Sequence, residues 1–397
     1  MTTIFTVVAI CLFAVPDIVL ISLLLRTKNH DAPTITNSAA EETAMNIDVL
    51  VPVKVPEDDH FIDAWIEAFT QFIPGKGSRL IVVSNGTWQR DRSQVPEFVL
   101  VDHKEGAGAK AENLERGIAL VNSDLVAIFD VDSVPTSTLD LNYLSTQLQR
   151  AACIQGAKVT KGNAEGGASA FCEYDSWIEV SKSETMATAQ NKTGLFLGSN
   201  AFFRRETLED LGFHVSTALE NIDASYRLLR QGGSVLFDPK FVALESPPIS
   251  ALQLVKQRVR WYLGWGHICR NYMLEVFSES RISALQKLRW AGFAFWITFF
   301  LPLSFVLAVV FGSVVYFLAA VFFIKCLSHE LMYSRLRNSP RLTEVFAHCL
   351  EVQRASLYLR VLWIGQLVLL DWLKSLAFIG LVFGTSSSWS PTEKTQN

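Results

Sequence analysis

Asp130 and Asp132 stand one residue apart, directly after the apolar run Leu125-Val126-Ala127-Ile128-Phe129. Two carboxylates so placed can grip a divalent cation together with a diphosphate whose charge that cation neutralises. In an extended segment, side chains one residue apart point the same way, so both acids are expected to reach one ion. An Asp-x-Asp pair by itself also fits a solvated loop. Its position between a buried strand and Ser133-Val134-Pro135 favours the metal reading. Far downstream, Gln257-Arg258-Val259-Arg260-Trp261 precedes a long apolar stretch. Trp presents a flat apolar face and Arg a planar fork that matches phosphate oxygens. The same five residues also fit an interfacial anchor of Trp and basic side chains.

The elements that must hold these residues belong to an unusually apolar chain. Of 397 residues, 50% are hydrophobic and only 19% charged, and mean hydropathy is +0.25. Residues 3–25 are long enough for one bilayer crossing, although Pro16 and Asp17 interrupt them. Arg26 and Lys28 come next, and the opening Met-Thr-Thr is uncharged. This order fits an uncleaved anchor over 1–26 better than a signal peptide, and the positive-inside bias places the residues after the anchor in the cytosol. A net charge of −4 gives no case for nucleic acid, which calls for a basic face. Six cysteines at scattered positions form neither a zinc pattern nor a disulfide scaffold.

Residues 27–46 are polar and aperiodic, as a tether would be. Four Val/Ile/Leu-rich runs come after them at 47–53, 79–84, 97–101 and 124–129, alternating with helical patterns at 58–72 and 107–121. That alternation predicts an α/β domain, 47–247, with a mostly parallel sheet covered by helices on both faces. Ligands of such sheets sit beyond the carboxyl ends of the strands, where Ser84-Asn85-Gly86 and Asp130-Val131-Asp132 fall. A helix near 138–149, a strand near 152–160 and a helix near 171–189 continue the domain. Interfacial helices are expected over 248–289, a transmembrane region over 290–383 and a tail over 384–397. The apolar stretch 290–324 is too long for one span, so an even number of crossings or a re-entrant pair is expected, turning near Pro302 or Gly312. Asp371 and Lys374, three apart on a helix, are expected to pair.

Several segments together resemble the membrane-bound family-2 glycosyltransferases, which include cellulose, chitin and hyaluronan synthases. The resemblance runs from about Ile47 to Trp261. It is carried by VLVPV, by IVVSNGT, by GAKAENLERGIAL, by AIFDVDSVP and by FLGSNAFFRRETLEDLG. QRVRW matches the family's Gln-x-x-Arg-Trp motif. The resemblance implies a GT-A fold and transfer from a UDP-sugar with Mg2+ or Mn2+ as cofactor. It also implies Asn85 beside the base, Lys110 near the diphosphate or ribose, and Asp132 on the metal with Asp130 close by. Gly198 and Ser199 would lie on the acceptor-side strand, with Gln257, Arg260 and Trp261 lining the acceptor end. Read without it, Lys110 is an exposed helix residue, Asn85 a turn residue, and Gly198-Ser199 a close backbone approach.

One departure concerns the base. Relatives carry Glu-Asp-x-Asp where this chain has Leu219-Glu220-Asn221-Ile222-Asp223, and Asn221 stands in place of the general base. An amide cannot take up a proton at neutral pH, so Glu220 and Asp223 become the catalytic candidates. The same cluster also reads as capping of the helix that begins there. The expected activity is therefore an inverting, metal-dependent sugar transfer to a polysaccharide acceptor at the cytosolic membrane face. Single transfer to a lipid of the ceramide or diacylglycerol type is the alternative. A non-catalytic membrane partner with a degenerate domain is a third reading, supported by Asn221. About three apolar segments after the domain are few for a secretion channel in one copy, which leaves room for a homo-oligomer.

Overall fold

The computed structural model describes residues 2–26, 45–54, 59–84, 98–102, 110–161, 168–189, 194–214, 219–282 and 284–383. Asn85, most of the expected tether and the expected tail lie outside these residues. Helix α1 (Thr2–Arg26) enters first. The domain then runs through β1 (Ile47–Val53), α2 (Ile62–Phe72), β2 (Arg79–Ser84), β3 (Phe98–Asp102) and α3 (Lys110–Ile118). It continues through β4 (Leu125–Ile128), β5 (Ser133–Pro135), α4 (Leu141–Leu148), β6 (Cys153–Thr160) and α5 (Ala168–Ala189). It closes with β7 (Ala201–Arg204), α6 (Arg205–Leu211), α7 (Glu220–Arg230) and β8 (Val235–Glu245).

These strands form one sheet in the order β3-β2-β1-β4-β7-β6-β8-β5. The first four are parallel, as the alternation of strand and helix patterns predicts. Strand β7 inserts antiparallel to both β4 and β6, and β5 is antiparallel to β8. Every residue of β1 is buried, because helices cover both faces. One face packs Trp65, Phe129 and Phe202, and the other packs Leu50, Leu114 and Phe203. The buried Asp48 carboxylate ties β1 to the chain entering β4. It pairs with Arg79 and accepts from the Asn122 N–H (2.7 Å), the Ser123 N–H (3.1 Å) and the Ser123 hydroxyl (2.9 Å). Strand β8 shows no continuous apolar run, since Asp238-Pro239-Lys240 interrupts it. Its pairing with β6 is set by the sheet.

Helix α8 (Ala251–Ser278) crosses the carboxyl-end side of the domain, capped by the Ser250 hydroxyl on the Gln253 N–H (3.3 Å). Helices α9 (Ala284–Phe295) and α10 (Leu301–Val310) are joined by a π-helical turn at Trp296–Phe300. Helix α11 (Val314–Leu336) comes after a turn at Gly312, while Pro302 sits inside the first turn of α10. Short α12 (Thr343–His348) and α13 (Leu350–Arg354) pack on α5 and β8. Helices α14 (Leu357–Leu373) and α15 (Leu376–Phe383) end the described chain. Among the described residues, four stretches are long and apolar enough to cross a bilayer: Thr3–Leu25, Gln286–Val310, Val314–Leu336 and Leu357–Phe383. Asp371 pairs with Lys374 at 2.6 Å, as their spacing predicts.

Candidate active site

The register of β4 against β7 builds the centre of the site. Ile128 lies opposite Ala201, so the residues just after β4 face those just before β7. The Asp130 N–H accordingly donates to Ser199 Oγ at 2.9 Å. Gly198, in the left-handed region at φ +86°, turns its carbonyl to the Lys110 ammonium at 2.9 Å. A Cβ there would lie 3.3 Å from Lys110 Nζ and from Asn221 Cβ, a tight fit that adds to the preference of the left-handed backbone for glycine.

Lys110, the first residue of α3, is the hub. Its Nζ lies 2.6 Å from Asp130 Oδ1 and 3.1 Å from Glu220 Oε1. Burial works against its charge, yet Asp130 and Glu220 together raise its pKa above the ordinary lysine value. Arg260 of α8 is within electrostatic reach of the same two acids. Burial depresses its pKa, and Glu220 and Asp130 oppose that shift. Two bases and two acids from four elements thus meet at one end of the sheet.

The structure changes three local expectations. Strand β4 ends at Ile128, and Asp130 to Ser133 form a turn closed by the Ser133 N–H on the Asp130 carbonyl (2.9 Å). The two acids therefore sit on a turn rather than on an extended segment, and strand alternation does not aim them. The start of α7 is not capped by Asn221. Leu219 occupies the cap position without a side-chain bond, Glu220 and Asn221 lie in the first turn, and Asn221 packs beside Gly198. Asp223 stands apart from Lys110. Its buried carboxylate takes the Tyr272 hydroxyl and pairs with Arg227 at 2.8 Å and His214 at 3.3 Å. Of the two candidate bases, only Glu220 is in the cluster.

Gln257 is buried on α8. Trp261 packs against the cluster that contains Leu219 and Ile222 of the α7 start, with the Arg258 guanidinium over its ring at 4.3 Å. A residue that motif reading passes over is Gln155. Buried in β6, its amide oxygen accepts from the Leu197 N–H (2.7 Å) and its NH2 donates to the Ser199 carbonyl (2.8 Å). It splints the loop that presents Gly198 and Ser199. Its sequence signal is a polar side chain following Cys153-Ile154 at the buried start of β6.

Asp130 and Asp132 supply hard carboxylate oxygens, the donor type that Mg2+ and Mn2+ prefer. Among the described residues no group of three or more His, Cys, Asp or Glu side chains forms a cage of its own. A two-acid set fits a cation whose remaining ligands come from substrate phosphate and water.

Residues 125–327, just over half the chain, match the glycosyl transferase family group 2. A probable glycosyltransferase, YdaM, of Bacillus subtilis is 24% identical over 243 residues, 58% of this chain and 57% of that protein. A poly-beta-1,6-N-acetyl-D-glucosamine synthase of Staphylococcus aureus is 27% identical over 177 residues, 43% of this chain and 42% of that protein. The chain thus spans about half the length of these relatives. A mannosyltransferase of Pyrobaculum calidifontis, PcManGT, solved with GDP-Man and Mn2+, superposes with a TM-score of 0.56 at 17% identity. That alignment covers 88% of this chain and 97% of that one, a likeness of fold, in agreement with the expected GT-A architecture.

Proposed function

The chain belongs to glycosyl transferase family group 2, and from that membership we propose an inverting, metal-dependent transfer of a sugar from a UDP-sugar to an acceptor hydroxyl at the cytosolic membrane face. The carrying observation is Lys110 bound to both Asp130 and Glu220 with Arg260 in reach, which joins the turn after β4 and the start of α7 to the QRVRW helix. Glu220 takes the proton from the acceptor hydroxyl as that oxygen attacks the anomeric carbon. The bond to the diphosphate breaks on the opposite face, and Lys110 and Arg260 are the cations that receive the leaving charge. Asp130 and Asp132 would hold Mg2+ or Mn2+, which supplies charge neutralisation at the diphosphate. Trp261 offers its ring to the acceptor sugar, and Gln257 lines the same end. Asn85 is the residue assigned to the uracil.

A polysaccharide acceptor is supported by the partial likeness to the Staphylococcus synthase. Single transfer to a lipid is favoured by a different observation. Helix α15 sits on α8 so tightly that a Cβ at Gly266 would land on the Ala377 carbonyl, which leaves no gap for a sugar chain between these two helices. Membranes holding the full chain are to be incubated with radiolabelled UDP-glucose and UDP-N-acetylglucosamine and either cation, and the product split into lipid-soluble and polymeric fractions. Asp132→Ala is expected to lose metal-dependent retention of UDP, and unaltered retention removes the metal assignment. Absence of UDP release by the wild type with every UDP-sugar tried would support a non-catalytic partner instead.

A further inference from the structure

Arg258 is the unassigned basic residue of QRVRW, and its guanidinium is tied at both ends. One end pairs with the buried Asp175 carboxylate of α5, and its plane lies 4.3 Å from the centre of the Trp261 ring. Burial of Asp175 without Arg258 would be unfavourable, as would burial of Arg258 without Asp175, so each fixes the other. Trp261 also packs against the apolar cluster of the α7 start, where Leu219 occupies the space that Gly264 of α8 leaves open. The next residue after Leu219 is Glu220. A series of contacts therefore runs from α5 through Arg258 and Trp261 to the helix start that carries the acid bound by Lys110.

We propose that Asp175 is a positioning residue for the acceptor end: by holding Arg258 against Trp261 it fixes the ring on which the acceptor sugar rests. Asp175 pairs with Arg258, outside the cluster around Lys110, and it lies on an element outside every motif of the chain. The pair itself is largely shielded, with side-chain exposures of 16% for Arg258 and 12% for Asp175, and Glu179, Lys182 and Lys374 lie within electrostatic reach of Asp175. The functional half of this inference rests on the transferase reading above, whereas the placement of Trp261 does not.

The test uses the full-length protein in nanodiscs. Accessibility of Trp261 to acrylamide is read as the fluorescence difference between each variant and the same variant carrying Trp261→Phe. Asp175→Asn is expected to raise that accessibility and lower sugar transfer by on the order of tenfold to a hundredfold. Equilibrium binding of UDP with Mn2+ is expected to stay unchanged. Asp175→Glu, which keeps the charge, is expected to restore much of the transfer. Should Asp175→Asn fail to fold, Arg258→Lys keeps a cation for Asp175 but loses the flat group on the ring, and gives the same readouts. Unchanged acrylamide access overturns the inference whatever the activity. Raised access with undiminished transfer overturns its functional half. A wild type that neither binds UDP nor transfers sugar overturns the transferase reading, and acrylamide access then decides the placement alone.

Discussion

Lys110 holds two carboxylates that would otherwise repel each other across the site. Its raised pKa keeps it charged throughout the working range, and what it contributes is present below about pH 10 and lost as pH rises through the folded value. Lys110→Met leaves Asp130 and Glu220 facing without their cation. UDP retention is expected to weaken by about tenfold or more, because a cation facing the diphosphate is lost, and unchanged retention removes Lys110 from the donor end. Glu220→Gln is expected to lower transfer by about 10²–10⁴-fold while UDP binding persists. Asp223→Asn is expected to act on stability instead, by roughly 3 kcal/mol, because it disturbs a buried carboxylate paired with Arg227. Thermal unfolding of both variants beside their turnover separates the roles, and equal turnover in both would remove Glu220 as the base. Residue identities alone made Glu220 and Asp223 equal candidates. What surrounds the first turn of α7 separates them, since Glu220 meets Lys110 whereas Asp223 meets Tyr272 and Arg227.

Helix α8 is the element on which the site depends. It meets α5 through Arg258 and Asp175, α7 through Tyr272 and Asp223, and α15 through Gly266. Gly266→Ala puts a methyl group where the Ala377 carbonyl lies, and overpacking of this kind costs about 1–3 kcal/mol. A lower unfolding temperature in detergent and earlier proteolysis at α15 are the expected readouts. The parallel strands and the helices between them were legible because apolar runs of strand length alternate with helical periodicity. Strand β8 was not, since Asp238-Pro239-Lys240 breaks its run and its partner β6 is far away in sequence. The Asp130 turn was not legible either, because the hydrogen bond closing it competes with an equally plausible continuation of the strand.

Across the whole molecule, ionic groups also join the apolar helices to one another. Lys325 of α11 pairs with Asp17 of α1 at 3.0 Å and with Asp371 of α14 at 2.9 Å, and Lys374 closes the series. Ser328 adds a hydroxyl donor to Asp17 at 3.0 Å. Buried charges in such surroundings persist only when compensated. Lys325→Met leaves Asp17 without its cation and is expected to destabilise by about 3–5 kcal/mol. Asp17→Leu added to it leaves the balanced pair Asp371 and Lys374, so part of the lost unfolding temperature is expected to return. A double variant no more stable than the single one would show that the pairing does not hold these helices together.

Sequence by itself determined the α/β class, the apolar segments, the family resemblance and the short-range pair Asp371 and Lys374, because each depends on composition, period or a spacing of a few residues. Tertiary structure decided which acids meet Lys110, that Asp223 is committed elsewhere, that Asp17 answers Lys325, and that Asp175 supports Arg258. Those partners are brought together by strand register and helix packing over tens to hundreds of residues, and no local pattern encodes contacts at that separation.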